Sequence, residues 1–419
     1  MPPSAPNASP ISWSTQRPAA EFGLPGYHRP VLKPSLRRAR GAAALAVALG
    51  CLLIASSSAG TAVQPAGSTW LPPAYLMWRT GGLPSGLTPK LDALQGTDDV
   101  VVVAADTLWM KRSVRADGTV VDHPRSPYRI PIEVMATSVK DMDPFLPPAW
   151  HDTVLDALRD GRGVIGTSSA ELRRLHMGDR FVFAKGRITV GAIVPDDVVA
   201  WSEVMVSRDV GRPLGVRHDR FALLRMQGEP TAAQLARRIA PLLGPGYRPR
   251  VRRPGQATFR RHGDSVWPPV LMKRGFGEFQ AYPDPRRPGY LRMHPSFVHQ
   301  HLVSRSVPLL GRFTCNERVF PPLVAAMKEL RNRGAGGAIR NFAGCYSARM
   351  VMRIPTNAAS HHAWGAAVDI NSITNPYGAP PHQPAILVNT MAKHGFTWGG
   401  RWTVPDAMHF EFVRIAGLP

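Results

Sequence analysis

At 419 residues the chain is too long for one ordinary hydrophobic core, and an apolar fraction of 44% is that of a globular protein rather than a disordered one. A formal charge of +22 invites a polyanionic partner, as it would in a basic exported protein lying near anionic polymers or lipid headgroups. The arginines are nevertheless scattered, with no basic run, zinc-finger spacing or basic zipper, so no nucleic-acid partner is expected.

Residues 1–40 are rich in Pro, Ser and Ala and show no sustained period, which predicts a disordered basic arm. Arg37, Arg38 and Arg40 then stand before a charge-free apolar stretch, residues 41–58. A positive flank ahead of such a stretch stays cytoplasmic while the remainder crosses the membrane. The stretch reads as a single membrane anchor or, with small residues at Ser57-Ser58-Ala59, as a cleaved signal segment. Either way the rest of the chain is expected to be extracytoplasmic, anchored or secreted.

Pro and Gly recur every few residues across 59–94, which predicts a linker. A mixed α+β accessory domain is expected over 95–247. Its strands are the β-branched run from Asp98 to Ala105 and the stretches 179–184 and 187–194, joined by a hairpin-like turn at Lys185-Gly186. Helical apolar spacing marks 151–159 and 231–241. Gly161, Gly163 and Gly166 make no phosphate cradle, because no Gly-Lys-Ser/Thr ending follows. Residues 248–300 read as a second connector.

The chemistry concentrates in residues 301–419. Ser360-x-His362-x-x-Gly365-x-Ala367-x-Asp369 is followed by Asp406-x-x-His409-Phe410-Glu411. Residues 366–370 read as a short strand, so the period of two turns Asp369 away from Val368 and Ile370. The same alternation puts His409 and Glu411 on one face of 407–413, with Met408, Phe410 and Phe412 on the other. Two imidazoles and one carboxylate make a three-ligand zinc shell that leaves a position for water. Asp406, just before the second strand, can reach that position as acid/base, with Glu411 as the rival or as a supporting contact to His409. His361, His382 and His394 are expected outside the metal set. A helix is expected over 384–395, with proline near its start and glycine at its end. Of the three cysteines, Cys51 lies in the apolar segment; Cys315 and Cys345 are either a disulfide in an exported domain or two separate buried thiols.

The run from Ser360 to Asp369, with Ile370-Asn371, Asn375-Pro376-Tyr377, the stretch from Gly395 to Trp402, and Asp406 to Glu411, resembles the M15, or VanY-like, zinc peptidases. These are D-alanyl-D-alanine carboxypeptidases and peptidoglycan L,D-endopeptidases, and the likeness covers roughly 310–415. The resemblance implies His362, Asp369 and His409 as ligands of Zn2+ and Asp406 as catalytic acid/base. It also implies an upstream arginine on the substrate carboxylate or developing oxyanion, best matched by Arg349 in Cys345-Tyr346-Ser347-Ala348-Arg349, with Arg353 as competitor. The expected fold is α+β: a C-terminal zinc peptidase domain with a small antiparallel active-site sheet, preceded by the accessory domain. The expected substrate is a peptidoglycan stem or crossbridge peptide; the alternative is a noncatalytic wall-binding or scaffold protein carrying a degenerate peptidase domain.

Overall fold

A mixed sheet of eleven strands dominates the first half of the computed structural model, which describes residues 70–245, 248–264 and 267–418. In spatial order its strands are Arg250–Arg252, Tyr75–Trp78, Asp219–Met226, Thr97–Met110, Ile130–Thr137, Val204–Ser207, Gly163–Gly166, Gly186–Val194, Arg180–Phe183, Arg112–Val114 and Val120–Asp122. Neighbours run antiparallel except Ile130–Thr137 beside Val204–Ser207 and Gly163–Gly166 beside Gly186–Val194. The predicted helices appear as His151–Arg159, whose Val154, Leu155, Ala157 and Leu158 are buried, and Ala232–Ile239. Thr231 and Gln234 close a capping box at the start of the second.

Three expectations need correcting. The strand that begins at Thr97 runs through Asp106 to Met110 instead of stopping at Ala105. Asp106 is tolerated because it is satisfied there, pairing with Arg220 at 3.0 Å and His218 at 2.8 Å and accepting the Arg217 N–H at 2.7 Å. Within the segment 59–94, expected as linker, Tyr75–Trp78 is a wholly buried strand; the Pro and Gly punctuation merely brackets it. Within 248–300, expected as connector, Arg250–Arg252 joins the large sheet and Pro269–Phe276 is a helix, with proline at its first turn.

The second half is built around a four-stranded antiparallel sheet in the order Phe342–Gly344, Ala367–Ile370, His409–Phe412, Phe396–Trp398. The helices Phe320–Asn332 and Ala385–Lys393 pack together beside it. One core cluster runs from Trp267 and Phe276 through Leu323 and Met327 to Trp364, Val368 and Phe410. The fold is therefore mixed α+β with one large sheet and several small ones. Cys315 and Cys345 form a disulfide with Cα atoms 5.5 Å apart, resolving the alternatives left open by sequence.

All described residues fall in one compact unit, Gly60–Pro419, and a buried ionic cluster joins its halves. Lys273 lies 2.8 Å from Glu203 and 3.2 Å from Glu278, while Arg173 lies 2.8 Å from Glu203 and also contacts Glu278. Burial raises the Glu203 carboxyl, but Lys273 and Arg173 outweigh it and hold the pKa below the ordinary value. The arm expected over 1–40 and the apolar segment over 41–58 lie outside the described residues. Among the described residues no helix is long and apolar enough to cross a membrane.

Candidate metal centre

Three chain segments converge on one point. His362 sits in a single 3-10 turn, His361–Trp364, closed by Gly365 at φ 65°. A Cβ at Gly365 would lie 2.6 Å from the Asn316 backbone nitrogen, so both conformation and space demand glycine. Asp369 and His409 face each other directly across the strand pair, while Val368 and Phe410 form the next pair and point into the core. Ala367 pairs with Glu411 on the same face as Asp369 and His409.

Ligand-capable atoms of His362, Asp369 and His409 all lie within 4.8 Å of one another. His362 Nε2 is 3.2 Å from Asp369 Oδ2 and 3.1 Å from His409 Nδ1, and His409 Nδ1 is 3.0 Å from Asp369 Oδ1. The outer ring nitrogens are occupied elsewhere: His362 Nδ1 donates to the Cys345 carbonyl at 2.6 Å and His409 Nε2 donates to Glu411 at 3.1 Å. These bonds turn His362 Nε2 and His409 Nδ1 toward the shared point, where a metal ion would take the place of the proton that Asp369 otherwise draws onto His409.

The local field favours a cation. Burial opposes charge on His409, yet hydrogen bonds to Asp369 and Glu411 prevail and push its pKa up to about 10. Burial likewise opposes ionisation of Asp369, but His362 and His409 hold it well below the usual carboxylate range. Glu411, also buried, is held down by His361 and His409. His361 Nδ1 is 3.0 Å from Glu411 Oε1, without hydrogen-bond alignment, and its Nε2 is bonded to the Trp267 carbonyl at 3.0 Å. His361 thus stands behind the cluster, while His382 is exposed and His394 pairs with Glu329.

Asp406 lies at the rim. Its N–H donates to the Gly399 carbonyl at 3.0 Å and its own carbonyl accepts from His409 N–H at 3.0 Å, while its buried Oδ1 has no hydrogen-bond partner among the described residues. Burial raises its pKa, against the pull of His409, which suits a group that takes and returns a proton. Gly399 is required by space, not by conformation: its φ is not positive, but a Cβ there would lie 2.6 Å from the Asp406 carbonyl. The Trp402 ring stands 5.3 Å from the His409 ring and walls the site, whereas Trp398 donates to the Ala407 carbonyl.

The two arginine candidates separate. Arg349 is partly buried, and its charge acts on the Asp406 carboxyl. Arg353 is exposed, in a left-handed conformation at φ 56°, with its guanidinium 5.6 Å over the Tyr290 ring. Asn371 and Asn375, part of the recognised motif, serve the loop after Asp369. Asn371 accepts from the Arg340 N–H at 2.6 Å and Asn375 from the His382 N–H at 2.7 Å. Sequence reading missed the Cys345 carbonyl and also Asp264, which accepts from the Thr403 backbone N–H at 3.0 Å and so holds the segment between Trp402 and Asp406.

A family model described as D-alanyl-D-alanine carboxypeptidase matches residues 354–412. The match spans His362, Asp369, Asp406 and His409 and leaves Arg349 outside. No curated protein matches the chain. Among solved structures, the periplasmic region of MacB from Actinobacillus actinomycetemcomitans is similar at 10% identity and TM-score 0.28, covering 41% of this chain and 82% of that one. The extracellular domain of the noncanonic ABC-type transporter YknZ from Gram-positive bacteria is similar at 13% identity and TM-score 0.28, covering 41% and 92%. A domain of a putative permease protein from Porphyromonas gingivalis is similar at 13% identity and TM-score 0.30, covering 46% and 93%. At such scores no functional likeness follows.

Proposed function

We propose that the second half hydrolyses a peptide bond in the stem or crossbridge of peptidoglycan, as a D-alanyl-D-alanine carboxypeptidase or an endopeptidase, with Zn2+ held by His362, Asp369 and His409. The observation that carries this reading is the convergence of three ligand atoms within 4.8 Å, with both imidazoles turned by outer hydrogen bonds so that His362 Nε2 and His409 Nδ1 face one another. The carboxypeptidase family match over 354–412 supports the reaction class.

When bound, zinc supplies Lewis acidity toward a water and the scissile carbonyl. The chain's own groups do the rest. Asp406, with its raised pKa and free Oδ1, accepts the water proton and returns it to the leaving amine. Arg349, whose charge reaches Asp406, pairs with the substrate carboxylate in a carboxypeptidase or with the developing oxyanion in either reaction. Trp402 excludes solvent from one side of His409. An extracytoplasmic setting is supported by the Cys315–Cys345 disulfide and by the basic-to-apolar transition after Arg40.

The test is Asp406→Asn, assayed on defined wall peptides by mass spectrometry at matched zinc occupancy. Zinc binding is expected to persist while turnover falls about 100- to 10,000-fold. Near-normal turnover would reject Asp406 and move Glu411 forward; a native chain that binds zinc but releases no peptide would favour the noncatalytic wall-binding alternative.

A further inference from the structure

A second cleft, of about 520 Å³, opens between the two halves, where the strand Arg250–Arg252 faces the strand Phe396–Trp398. Each is the outermost strand of its sheet. Val251 belongs to the core of the first half, so the alternation of the strand turns both Arg250 and Arg252 away from that core. Arg401 and Arg414 line the same cleft, and the only acidic residue among its lining groups is Asp264. Four arginines and one carboxylate therefore line the cleft.

That carboxylate does not neutralise them. Arg250 Nε is buried without a hydrogen-bond partner and stands 3.8 Å from Asp264, whose two oxygens are already engaged by the Thr403 N–H and hydroxyl. Arg252 lies over the Trp78 ring at 5.4 Å and, among the described residues, donates to the Gln256 carbonyl at 3.5 Å without an ion pair. Burial and the neighbouring Arg250 lower its pKa, against the weaker opposing pull of Asp264. Arg401 is exposed and makes no ion pair among the described residues, and Arg414 donates to the Lys393 carbonyl. Planar forks gathered around a concave space are the arrangement that recognises phosphate or carboxylate oxygens.

The geometry points to an oxyanion-binding site in this cleft, one that takes a phosphate, phosphodiester or carboxylate group between Arg250, Arg252, Arg401 and Arg414. It is separate from the candidate metal centre but shares a wall with it, since Trp402 lines the cleft and stands 5.3 Å from the His409 ring. An anionic ligand seated there lies along the loop that carries Asp406.

Calorimetric titration of the full chain with inorganic phosphate, and separately with glutarate, tests this, and distinguishes a phosphate from a carboxylate ligand. Both titrations are repeated in His362→Ala, where the candidate metal centre no longer holds the anion. Saturable binding is expected to survive His362→Ala and to weaken by roughly tenfold or more in Arg252→Gln/Arg401→Gln. Arg401→Gln alone, at an exposed position, carries the test if the double variant melts early. Arg112→Gln, in a basic cleft at the other end of the large sheet, serves as the charge control. Binding of neither anion, loss of binding in His362→Ala, or an equal loss in Arg112→Gln would overturn the assignment, the last because net charge alone would then explain the attraction.

Discussion

Glu411 does not reach the candidate metal position, yet its replacement should cost metal affinity. Its Oε1 accepts the proton on His409 Nε2 at 3.1 Å, and that bond frees His409 Nδ1 to face Asp369 and His362. Glu411→Gln keeps an acceptor oxygen in nearly the same place and removes only the negative charge. Glu411→Ala removes the acceptor as well and lets the ring turn. Partners of this kind are worth about 10- to 100-fold in metal affinity, so Gln should sit near tenfold, about 1.4 kcal/mol, and Ala near 100-fold, about 2.7 kcal/mol. Zinc competition against a chromophoric chelator at pH 7.5 measures both. An effect of Gln as large as that of Ala would assign the contribution to charge instead of ring orientation. Zinc affinity within about twofold of the native chain in both variants would refute the role altogether.

Two further predictions concern stability. Replacing both cysteines, Cys315→Ser/Cys345→Ser, opens a bridge of sequence separation 30 and should lower unfolding free energy by ~3.5 kcal/mol in a chemical denaturation series; a loss below about 1 kcal/mol would contradict it. His262 is held well below the usual imidazole pKa, first by burial and then by Arg261 and Arg220, with its ring 6.2 Å from Phe221. Below about pH 6.5 the unfolded chain binds a proton that the folded chain refuses, so stability contributed by neutral His262 is present above that pH and is lost as pH falls. His262→Gln should flatten the stability profile between pH 7.5 and 5; an unchanged slope would show that other groups set it.

Alternation along two short strands was enough to separate Asp369 from Val368 and Ile370, and His409 with Glu411 from Phe410 and Phe412, and the register then pairs Asp369 with His409 on one shared face. That part was legible because a period of two depends on local geometry alone. The groups that turn the imidazoles were harder to see. A main-chain carbonyl such as that of Cys345 carries no side-chain signature, and its approach to His362 depends on tertiary folding. Asp264, far from the motif in sequence, could not be linked to Thr403 without the fold. The large sheet was underestimated for a related reason. Tyr75–Trp78 and Arg250–Arg252 are short and flanked by Pro, Gly or Arg, and only their partners Asp219–Met226 and Tyr75–Trp78 make them strands.

The ionic cluster between the halves bears on excising the half that carries the candidate metal centre. A fragment of residues 301–419, the boundary suggested by sequence, would lose Trp267, Leu271, Phe276, Phe279 and Phe297, all in the same core cluster as Trp364 and Phe410. It would also lose the Trp267 carbonyl that holds His361 behind Glu411. Starting instead at residue 267 restores those groups and keeps Glu278, 3.2 Å from Lys273, but removes Glu203, the nearer partner of a Lys273 that is 2% exposed in the intact chain. Leaving a buried charge wholly unpartnered costs about 3–5 kcal/mol; with Glu278 retained and solvent reaching the cut face, the loss at Lys273 is a fraction of that, still noticeable against an ordinary domain's stability. Lys273→Met offers a neutral side chain of comparable length, so the longer fragment carrying it should regain much of that loss. The expected order of thermal midpoints is 267–419 with Lys273→Met above unmodified 267–419, with 301–419 failing to show a cooperative transition. A cooperative transition for 301–419 that binds zinc as tightly as the full chain would show that the preceding residues contribute neither core nor site, and that the accessory half can be removed without disturbing the metal centre.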